Sequence, residues 1–358
     1  MIFFVYLLLL PLAVLLGGLL GLRRFLAGPS LRRYDGIAEI ERPGADRSGP
    51  SDGQEEVVEL AKMLTAGPKM EPLKARVQRI RRTMDEVFGA TPYDAEIVPT
   101  NAGGVPADWV LNEASRPERR LLYIHGGAFV AGSPTSHRSL CAELARRTEA
   151  SVLAIDYRLV PEHHRLACIE DCRAAYRWIL DHGPNGAGPA ETVWVAGDSA
   201  GGNLTLVTTA WARDADVRTP DAALTFSPAT DGTFGSPSLL DNRDTDPMLG
   251  KGLAFFARFR SATLFFTWLT ARRRPCNPKL SPAFGDLAGL PPILVQASEA
   301  EVLLDDARRY AARAQQQGSP VRLQTWPFMV HVFQGFVEHL EEADEALDEA
   351  ARFLLATA

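Results

Sequence analysis

The sequence predicts an α/β fold with a mainly parallel sheet flanked by helices, and two observations support this prediction. From about residue 93, short apolar runs typical of buried strands alternate with longer stretches of helical periodicity. Within this region a Gly-x-Ser-x-Gly turn at 197–201 joins one such strand to one such helix. Ligands bind at the carboxyl ends of the strands in parallel sheets, so we expect the functional residues to follow the strands.

The predicted strands are the apolar runs at 107–111, 120–124, 151–155, 192–196, 222–226, 292–297 and 322–326. The predicted helices of the same region cover 138–149, 167–182, 200–213, 302–317 and 340–355. The alternation stops between 229 and 282, where a stretch rich in Phe and Trp is followed by three arginines. An insertion of this length after a strand is typical of a lid or cap.

The chain before the alternating region divides into three predicted segments. Residues 54–92 contain two amphipathic helical stretches, which we expect to join the 229–282 insertion in a helical cap on a catalytic domain of residues 93–358. Residues 23–53 are rich in Pro, Gly, Ser and charged residues, and we interpret them as a basic juxtamembrane segment and linker. Residues 1–22 lack any charged side chain and are about long enough for one transmembrane helix.

The charges around the apolar N-terminal segment predict its orientation. No Lys or Arg precedes it, whereas Arg23, Arg24, Arg32 and Arg33 follow it. By the positive-inside tendency, this pattern favours a single-pass membrane anchor that leaves the catalytic domain in the cytoplasm. A removed signal peptide, or a helix packed on the domain, is the alternative.

Composition excludes several classes of protein. The net charge is −6, and no basic stripe is present, which argues against a nucleic-acid partner. The four cysteines are few for 358 residues and imply no disulfide framework. Cys168 and Cys172 lie four residues apart on one predicted helix, but no further Cys or His cluster completes a metal site. We therefore expect buried, apolar cysteines and neither a metal nor an organic cofactor.

Ser199 is the predicted nucleophile. It lies at the apex of the Gly197–Gly201 turn, which follows the predicted strand at 192–196. Small flanking residues suit such a strained strand-to-helix turn, which presents the Ser side chain to a substrate carbonyl. The alternative is a Gly-rich turn in which the Ser only caps the helix. The helix behind the turn also favours a developing negative charge.

The predicted oxyanion hole lies upstream, directly after the strand at 120–124. The sequence there is His125-Gly126-Gly127-Ala128-Phe129. Because glycines let backbone N–H groups approach a reacting oxygen, we expect the amides of Gly126, Gly127 and Ala200 to form the hole. We expect His125 to support this loop through hydrogen bonds.

The general base is predicted to be His331, which follows the last strand. The other histidines precede the Ser or lie in helices and loops elsewhere. The orienting acid should lie in the loop after the strand at 292–297, near its end. That loop contains four acidic residues, which this reasoning leaves open: Glu299, Glu301, Asp305 and Asp306.

The order His-Gly-Gly, Gly-Asp-Ser-Ala-Gly-Gly, acid, His resembles the hormone-sensitive-lipase-like family of serine esterases in the α/β-hydrolase superfamily. The segments 156–163 and 303–307 support the resemblance, which covers roughly 55–356. It implies a cap over the site and hydrolysis of short- to medium-chain esters through an acyl-enzyme. It also aligns Glu301 with the family's catalytic Asp, with Asp305 and Glu299 as alternatives, and implies a supporting role for Asp198.

Two departures from the family pattern have expected consequences. Ala128 replaces the usual third glycine, which we expect to narrow the acyl side or restrict bulky alcohols, and Val332 replaces the glycine after the catalytic His. A membrane anchor would favour lipophilic esters. The alternatives are an aryl-amide or acetyl-ester deacetylase of the same fold and, further off, a relative that binds ligands without catalysis.

Overall fold

The computed structural model describes residues 17–68 and 70–358. Most of the predicted membrane anchor at 1–22 therefore lies outside the described residues. Residues 17–27 are helical, and no helix in the described part of the chain has the length and apolar character needed to cross a bilayer.

Within the described residues, nine strands form one sheet. In chain order they are β1 (Ile40–Glu41), β2 (Glu96–Ala102), β3 (Val105–Leu111), β4 (Arg116–Ile124), β5 (Ala150–Ile155), β8 (Thr192–Asp198), β9 (Ala222–Phe226), β10 (Ile293–Ser298) and β11 (Val321–Trp326). The intervening β6 (His182–Gly183) and β7 (Gly186–Ala187) pair only with each other. The spatial order is β1-β11-β10-β9-β8-β4-β5-β3-β2.

The centre of this sheet is parallel, as the sequence predicts. Strands β5, β4, β8, β9, β10, β11 and β1 pair in parallel, whereas β3 is antiparallel to β5 and β2 is antiparallel to β3. Every residue of β5, β9 and β10 is buried, which explains why these strands read as continuous apolar runs. The antiparallel β2 is half exposed, and the sequence analysis missed it.

Helices cover both faces of the sheet. Those after residue 50 are α1 (Gln54–Thr65), α2 (Leu73–Val87), α3 (Arg138–Thr148), α4 (Arg165–Asp181), α5 (Ser199–Asp214), α6 (Ser238–Asp241), α7 (Gly250–Arg258), α8 (Arg260–Ala271), α9 (Leu304–Gln316) and α10 (Glu341–Leu355). Helices α4, α5 and α9 pack on one face, and α3 and α10 pack on the other. The four cysteines are free and buried in this fold, as predicted.

Residues 23–53, expected to be a linker, are attached to the domain at several points. Tyr34 is buried, β1 extends the sheet beside β11, and Asp35 pairs with Arg309. Ser51 also binds the buried carboxylate of Glu342. The sequence could not reveal this because Pro, Gly and charged residues mask the few apolar contacts that hold the segment.

Candidate active site

Ser199 occupies a sharp turn between β8 and α5. It is the first residue of α5 and has a φ of +51°, in the left-handed region. A Cβ added at Gly201 would lie 1.9 Å from the carbonyl oxygen of Ile124, and one added at Gly197 would lie 2.4 Å from the same oxygen. The turn therefore rests directly on the end of β4, and that close approach is the reason for both glycines.

His331 joins the nucleophile to an acid. Its Nε2 lies 2.9 Å from Ser199 Oγ, and its Nδ1 is hydrogen-bonded to Glu301 Oε2. His331 and Glu301 are both buried. A hydroxyl, an imidazole and a carboxylate connected in this order form a relay that can activate the hydroxyl as a nucleophile.

The Glu301 carboxylate is fixed on its second oxygen as well. The Ser298 amide at the end of β10 donates to Glu301 Oε1 at 2.9 Å. Two residues of the 229–282 insertion hold the loop from the outside: Asn242 Nδ2 donates to the Glu301 carbonyl at 2.8 Å, and Asp246 Oδ2 accepts from Val302 N at 3.0 Å. The acid is therefore positioned by its own strand and by the insertion together.

The other acidic residues of this loop are engaged elsewhere. Glu299 binds Arg42 and the Thr325 hydroxyl. Asp305 accepts from the Ser238 amide at 2.9 Å, and Asp306 accepts from the Thr230 and Asp231 amides. Of the four acids that the sequence left open, the structure brings only Glu301 to His331.

Opposing effects set the protonation of His331. Burial disfavours the imidazolium, but the charge of Glu301 and its hydrogen bond outweigh burial and raise the pKa of His331 above its ordinary value. Asp246 adds to the same effect from the insertion. A base that holds its proton more firmly stabilises the imidazolium formed when the hydroxyl attacks.

The loop after β4 corrects the expectation for Gly126. The Gly126 amide donates to Asp198 Oδ1 at 2.9 Å, so this N–H is directed into the protein. The amides of Gly127 and Ala128 have no backbone acceptor within the described residues. Ala128 and Phe129 have φ values of +54° and +65°, which form the sharp turn that follows. The available amides of this loop are thus those of Gly127 and Ala128, whereas the sequence predicts Gly126 and Gly127.

Asp198 ties this loop to the nucleophile turn. Its buried carboxylate accepts from the Tyr123 hydroxyl at 2.7 Å as well as from Gly126, and lies 3.4 Å from His137 Nε2. Burial alone would raise the pKa of Asp198, but the charge of His137 and these hydrogen bonds lower it. For His137 burial opposes protonation, and Asp198 overcomes this to raise its pKa. A buried contact between a carboxylate and an imidazole therefore lies directly behind the Ser199 turn.

His125 has the supporting contacts that its position predicts. Its Nδ1 is hydrogen-bonded to the Gly126 carbonyl at 2.7 Å, and its ring stacks on Tyr157 with centroids 4.3 Å apart. Burial, with the nearby charge of His137, lowers the pKa of His125 to about 3. The ring is therefore neutral, and it supports the loop after β4 by packing and by its hydrogen bond to Gly126.

Sequence reasoning missed three residues that shape the site, and it considered a fourth, Ala128, only for its methyl group and not for its amide. The three are His137, Asn242 and Asp246. Ala128 has a visible signal, since it occupies the third position of a glycine motif. The other three are ordinary polar residues in a helix-flanking turn and in the insertion, and only the folded chain brings them to the catalytic loops.

A nucleophilic serine, a buried base and an orienting carboxylate at the carboxyl ends of parallel strands define a serine hydrolase site. Residues 121–335 match the family described as alpha/beta hydrolase fold. An acetyl-hydrolase of Streptomyces hygroscopicus is 36% identical over 290 residues, covering 81% of this chain and 91% of the relative. An esterase of Acinetobacter venetianus is 33% identical over 276 residues, covering 76% and 87%.

Solved structures agree with these relatives. The crystal structure of an esterase from the bacterial hormone-sensitive lipase family superposes with a TM-score of 0.75 at 32% identity, covering 86% of this chain and 98% of that one. The chain belongs to the alpha/beta hydrolase family and, within it, to the hormone-sensitive-lipase-like esterases. It is a carboxylester hydrolase, and the resemblance seen in the sequence is confirmed.

Proposed function

We propose that the chain hydrolyses short- to medium-chain, lipophilic carboxylic esters by two-step acyl transfer through Ser199. The supporting observation is the position of His331, which bridges Ser199 Oγ and the Glu301 carboxylate. His331 takes the hydroxyl proton as Ser199 Oγ bonds to the ester carbonyl carbon, and Glu301 stabilises the imidazolium. The same proton passes to the departing alcohol.

The second step regenerates the enzyme. His331 removes a proton from water, and the hydroxide oxygen bonds to the acyl carbon of the acyl-enzyme. The bond to Ser199 Oγ then breaks, and His331 returns the proton to that oxygen. The carboxylic acid is released, so the cycle needs no redox partner.

For the oxyanion we propose the amides of Gly127, Ala128 and Ala200. Among the residues that the structure describes, the first two have no backbone acceptor, whereas Gly126 donates to Asp198. Ala200 is the second residue of α5, where backbone N–H groups have no carbonyl of a preceding turn. Each such donor stabilises the tetrahedral intermediate by about 3 kcal/mol.

The nucleophile is tested by Ser199→Ala in the full chain with p-nitrophenyl butyrate. We expect less than about a thousandth of the wild-type kcat to remain, because the acyl-enzyme cannot form. Retention of more activity would contradict the role of Ser199. A series of p-nitrophenyl esters then tests the acyl range: an optimum between C2 and C8 supports the proposal, and a preference for long chains contradicts it.

A second candidate is deacetylation, which the 36% identity to an acetyl-hydrolase favours. Ala128 adds a methyl group where this family usually has glycine, and a smaller acyl site would suit acetyl groups. Matched acetyl and butyryl esters of one alcohol, and the matching aryl amides, separate the candidates. The ester proposal predicts activity on both acyl groups and a higher kcat/KM for each ester than for the matching amide, whereas a deacetylase would act on the acetyl compounds alone.

We also propose that residues 1–22 anchor the chain in a membrane with the catalytic domain in the cytoplasm. The support is the uncharged sequence followed by arginines. The test is alkaline carbonate extraction of cell membranes, followed by protease treatment of intact and permeabilised cells. Retention in the membrane pellet, with cleavage only after permeabilisation, is expected. Release into the supernatant would contradict the anchor.

A further inference from the structure

Helices α7 and α8 of the insertion form an exposed aromatic surface. We call this pair, Gly250–Ala271, the aromatic hairpin. Few of its side chains face the protein. Ala254 and Leu264 are buried, and Leu253 and Ala257 pack beside Val302 and Leu303. Its outward side consists of large apolar side chains that are between 37% and 65% exposed: Phe255, Phe256, Phe259, Phe265, Phe266, Trp268 and Leu269.

The charge around the hairpin is of one sign. Between residues 250 and 285 the chain has no Asp or Glu, although the whole protein carries a net charge of −6. The basic residues of this segment are Lys251, Arg258, Arg260, Arg272, Arg273, Arg274 and Lys279. An aromatic segment whose own charged residues are all basic has the composition that binds at the interface of an anionic bilayer.

A cationic cavity adjoins the hairpin. We call it the arginine cavity; it has a volume of about 490 Å³, and Arg23, Arg32 and Arg260 line it. It continues into a second cavity of about 710 Å³ beside Phe234 and Phe259. Burial lowers the pKa of Arg260; the charge of Asp231 opposes this shift, and the charges of Arg23, Arg309 and Arg32 add to it. Cations brought this close together favour a bound anion.

Of the described residues that line the cavity, five are arginines and one, Asp231, is acidic, so the protein balances only part of the positive charge. Arg309, at the edge of the cavity, is compensated by Asp35 at 2.6 Å and lies 3.9 Å from Asp231. Across the described residues, Arg23 and Arg32 form no ion pair with any carboxylate. Residues 1–16 contain no acidic side chain either.

The helical residues 17–27 and Gly28 lie against the segment that follows the hairpin. The Arg274 guanidinium lies 4.3 Å from the ring centroid of Phe25, and a Cβ at Gly28 would come within 2.7 Å of Cys276 Sγ. Leu19, Leu20 and Phe25 are exposed on this helix.

We propose that the aromatic hairpin and the arginine cavity together dock the catalytic domain on a bilayer that contains anionic lipid. The apolar side chains enter the headgroup region, and the phosphate of a lipid headgroup binds beside Arg23, Arg32 and Arg260. This contact is made by the folded domain; Leu20 of the proposed anchor at 1–22 also lines the cavity, but the contact does not require a membrane-spanning helix.

The test places a fluorescent probe on the hairpin of the full chain. Phe266→Cys is labelled with nitrobenzoxadiazole, since the four native cysteines are buried. Vesicles of phosphatidylcholine with about a third phosphatidylglycerol should shift the emission to the blue, and a shallow nitroxide lipid should quench it. The control, Glu113→Cys, lies in the exposed turn between β3 and β4 and should not respond.

Other occupants of the hairpin give different results. An emission that changes with protein concentration in the absence of vesicles indicates a second copy of the chain. An emission that is blue-shifted from the start and insensitive to vesicles indicates cover by the chain's own N-terminal residues. Either result, or an unshifted emission on vesicles that have bound the protein, overturns the proposal.

The cavity is tested in the same labelled chain with Arg32→Gln/Arg260→Gln. On vesicles containing phosphatidylglycerol, the ratio of lipid-contacting to water-exposed probe should fall about tenfold. The matched control, Arg146→Gln/Arg352→Gln, removes the same charge from exposed sites on α3 and α10 and should change the ratio less than about twofold. Equal responses of the two double variants would overturn the role of the cavity. Circular dichroism checks that both variants fold.

Discussion

The catalytic loops and the aromatic hairpin differ in whether their side chains have partners inside the protein. In the catalytic loops each charged group has an internal partner: Glu301 binds His331, and Asp198 binds His137, Tyr123 and Gly126. On the hairpin, large apolar side chains are exposed. Arg23, Arg32 and Arg260 in the adjoining cavity form no ion pair within the described structure.

This difference indicates that the two regions have different roles. Internally satisfied groups are preorganised, and such groups can stabilise a transition state without rearrangement. Unsatisfied groups on a surface gain free energy only from something outside the molecule. We therefore assign chemistry to the loops and recognition to the hairpin, and the following changes test that division.

The largest effect is expected from His331→Ala. Without the imidazole, Ser199 has no base within hydrogen-bonding distance, and kcat for p-nitrophenyl butyrate should fall at least about a thousandfold. The vesicle response of the hairpin probe should remain that of the wild type. A parallel loss of both would show that the two regions are not separable.

Glu301→Gln should lower kcat about a hundredfold or more, because the amide stabilises the imidazolium poorly. Burial already opposes protonation of His331, and the Glu301 charge is what raises its pKa. Removal of that charge lowers the pKa, so the acid limb of the kcat/KM profile should move to lower pH. The control Asp305→Asn should keep kcat within about fivefold, since Asp305 binds Ser238 instead. The reverse order of effects would make Asp305 the acid.

Asp246→Asn tests a residue that is hydrogen-bonded to both regions. Asp246 Oδ1 accepts from the amides of Met248 and Leu249 at the start of α7, and its Oδ2 accepts from Val302 in the acid loop. We expect kcat to fall about tenfold and the free energy of unfolding to fall by about 1–2 kcal/mol. The control is Asp244→Asn, an exposed neighbour paired only with Arg243. Equal activity of the two variants would mean that the insertion does not position the acid.

Ala128→Gly should have the smallest effect. Glycine removes the cost of a φ of +54° but increases the entropy of the unfolded chain, so the free energy of unfolding should change by less than about 1 kcal/mol. Esters of bulky alcohols should gain kcat/KM relative to the ethyl ester of the same acid, as the missing methyl group widens the loop. An unchanged ratio would rule out the steric role of Ala128.

Much of the fold could be predicted from the sequence because buried parallel strands have a strong signal. The runs at 222–226 and 322–326 are β9 and nearly all of β11. Ser199 and His331 were identifiable for a related reason, since each follows directly from a strand. By contrast, β1 is only two residues long, and β2 alternates without a clear apolar run.

The parts of the site that sequence reasoning could not supply depend on contacts between distant segments. Which glycine amide is available is decided by Asp198, 72 residues away from Gly126. Two contacts favour Glu301 over Asp305 as the acid. Ser238 binds the Asp305 carboxylate, and Asn242 holds the backbone carbonyl of Glu301. Neither contact leaves a spacing that could be recognised in the chain.

The most direct test of the central claim is labelling of the full chain with a fluorophosphonate, followed by peptide mapping. Our account predicts one adduct, on the peptide that contains Ser199, and its loss in His331→Ala because that variant cannot activate the hydroxyl. Absence of an adduct in the wild type would favour ligand binding without catalysis. An adduct on another residue, with ester hydrolysis abolished, would contradict the assignment of Ser199.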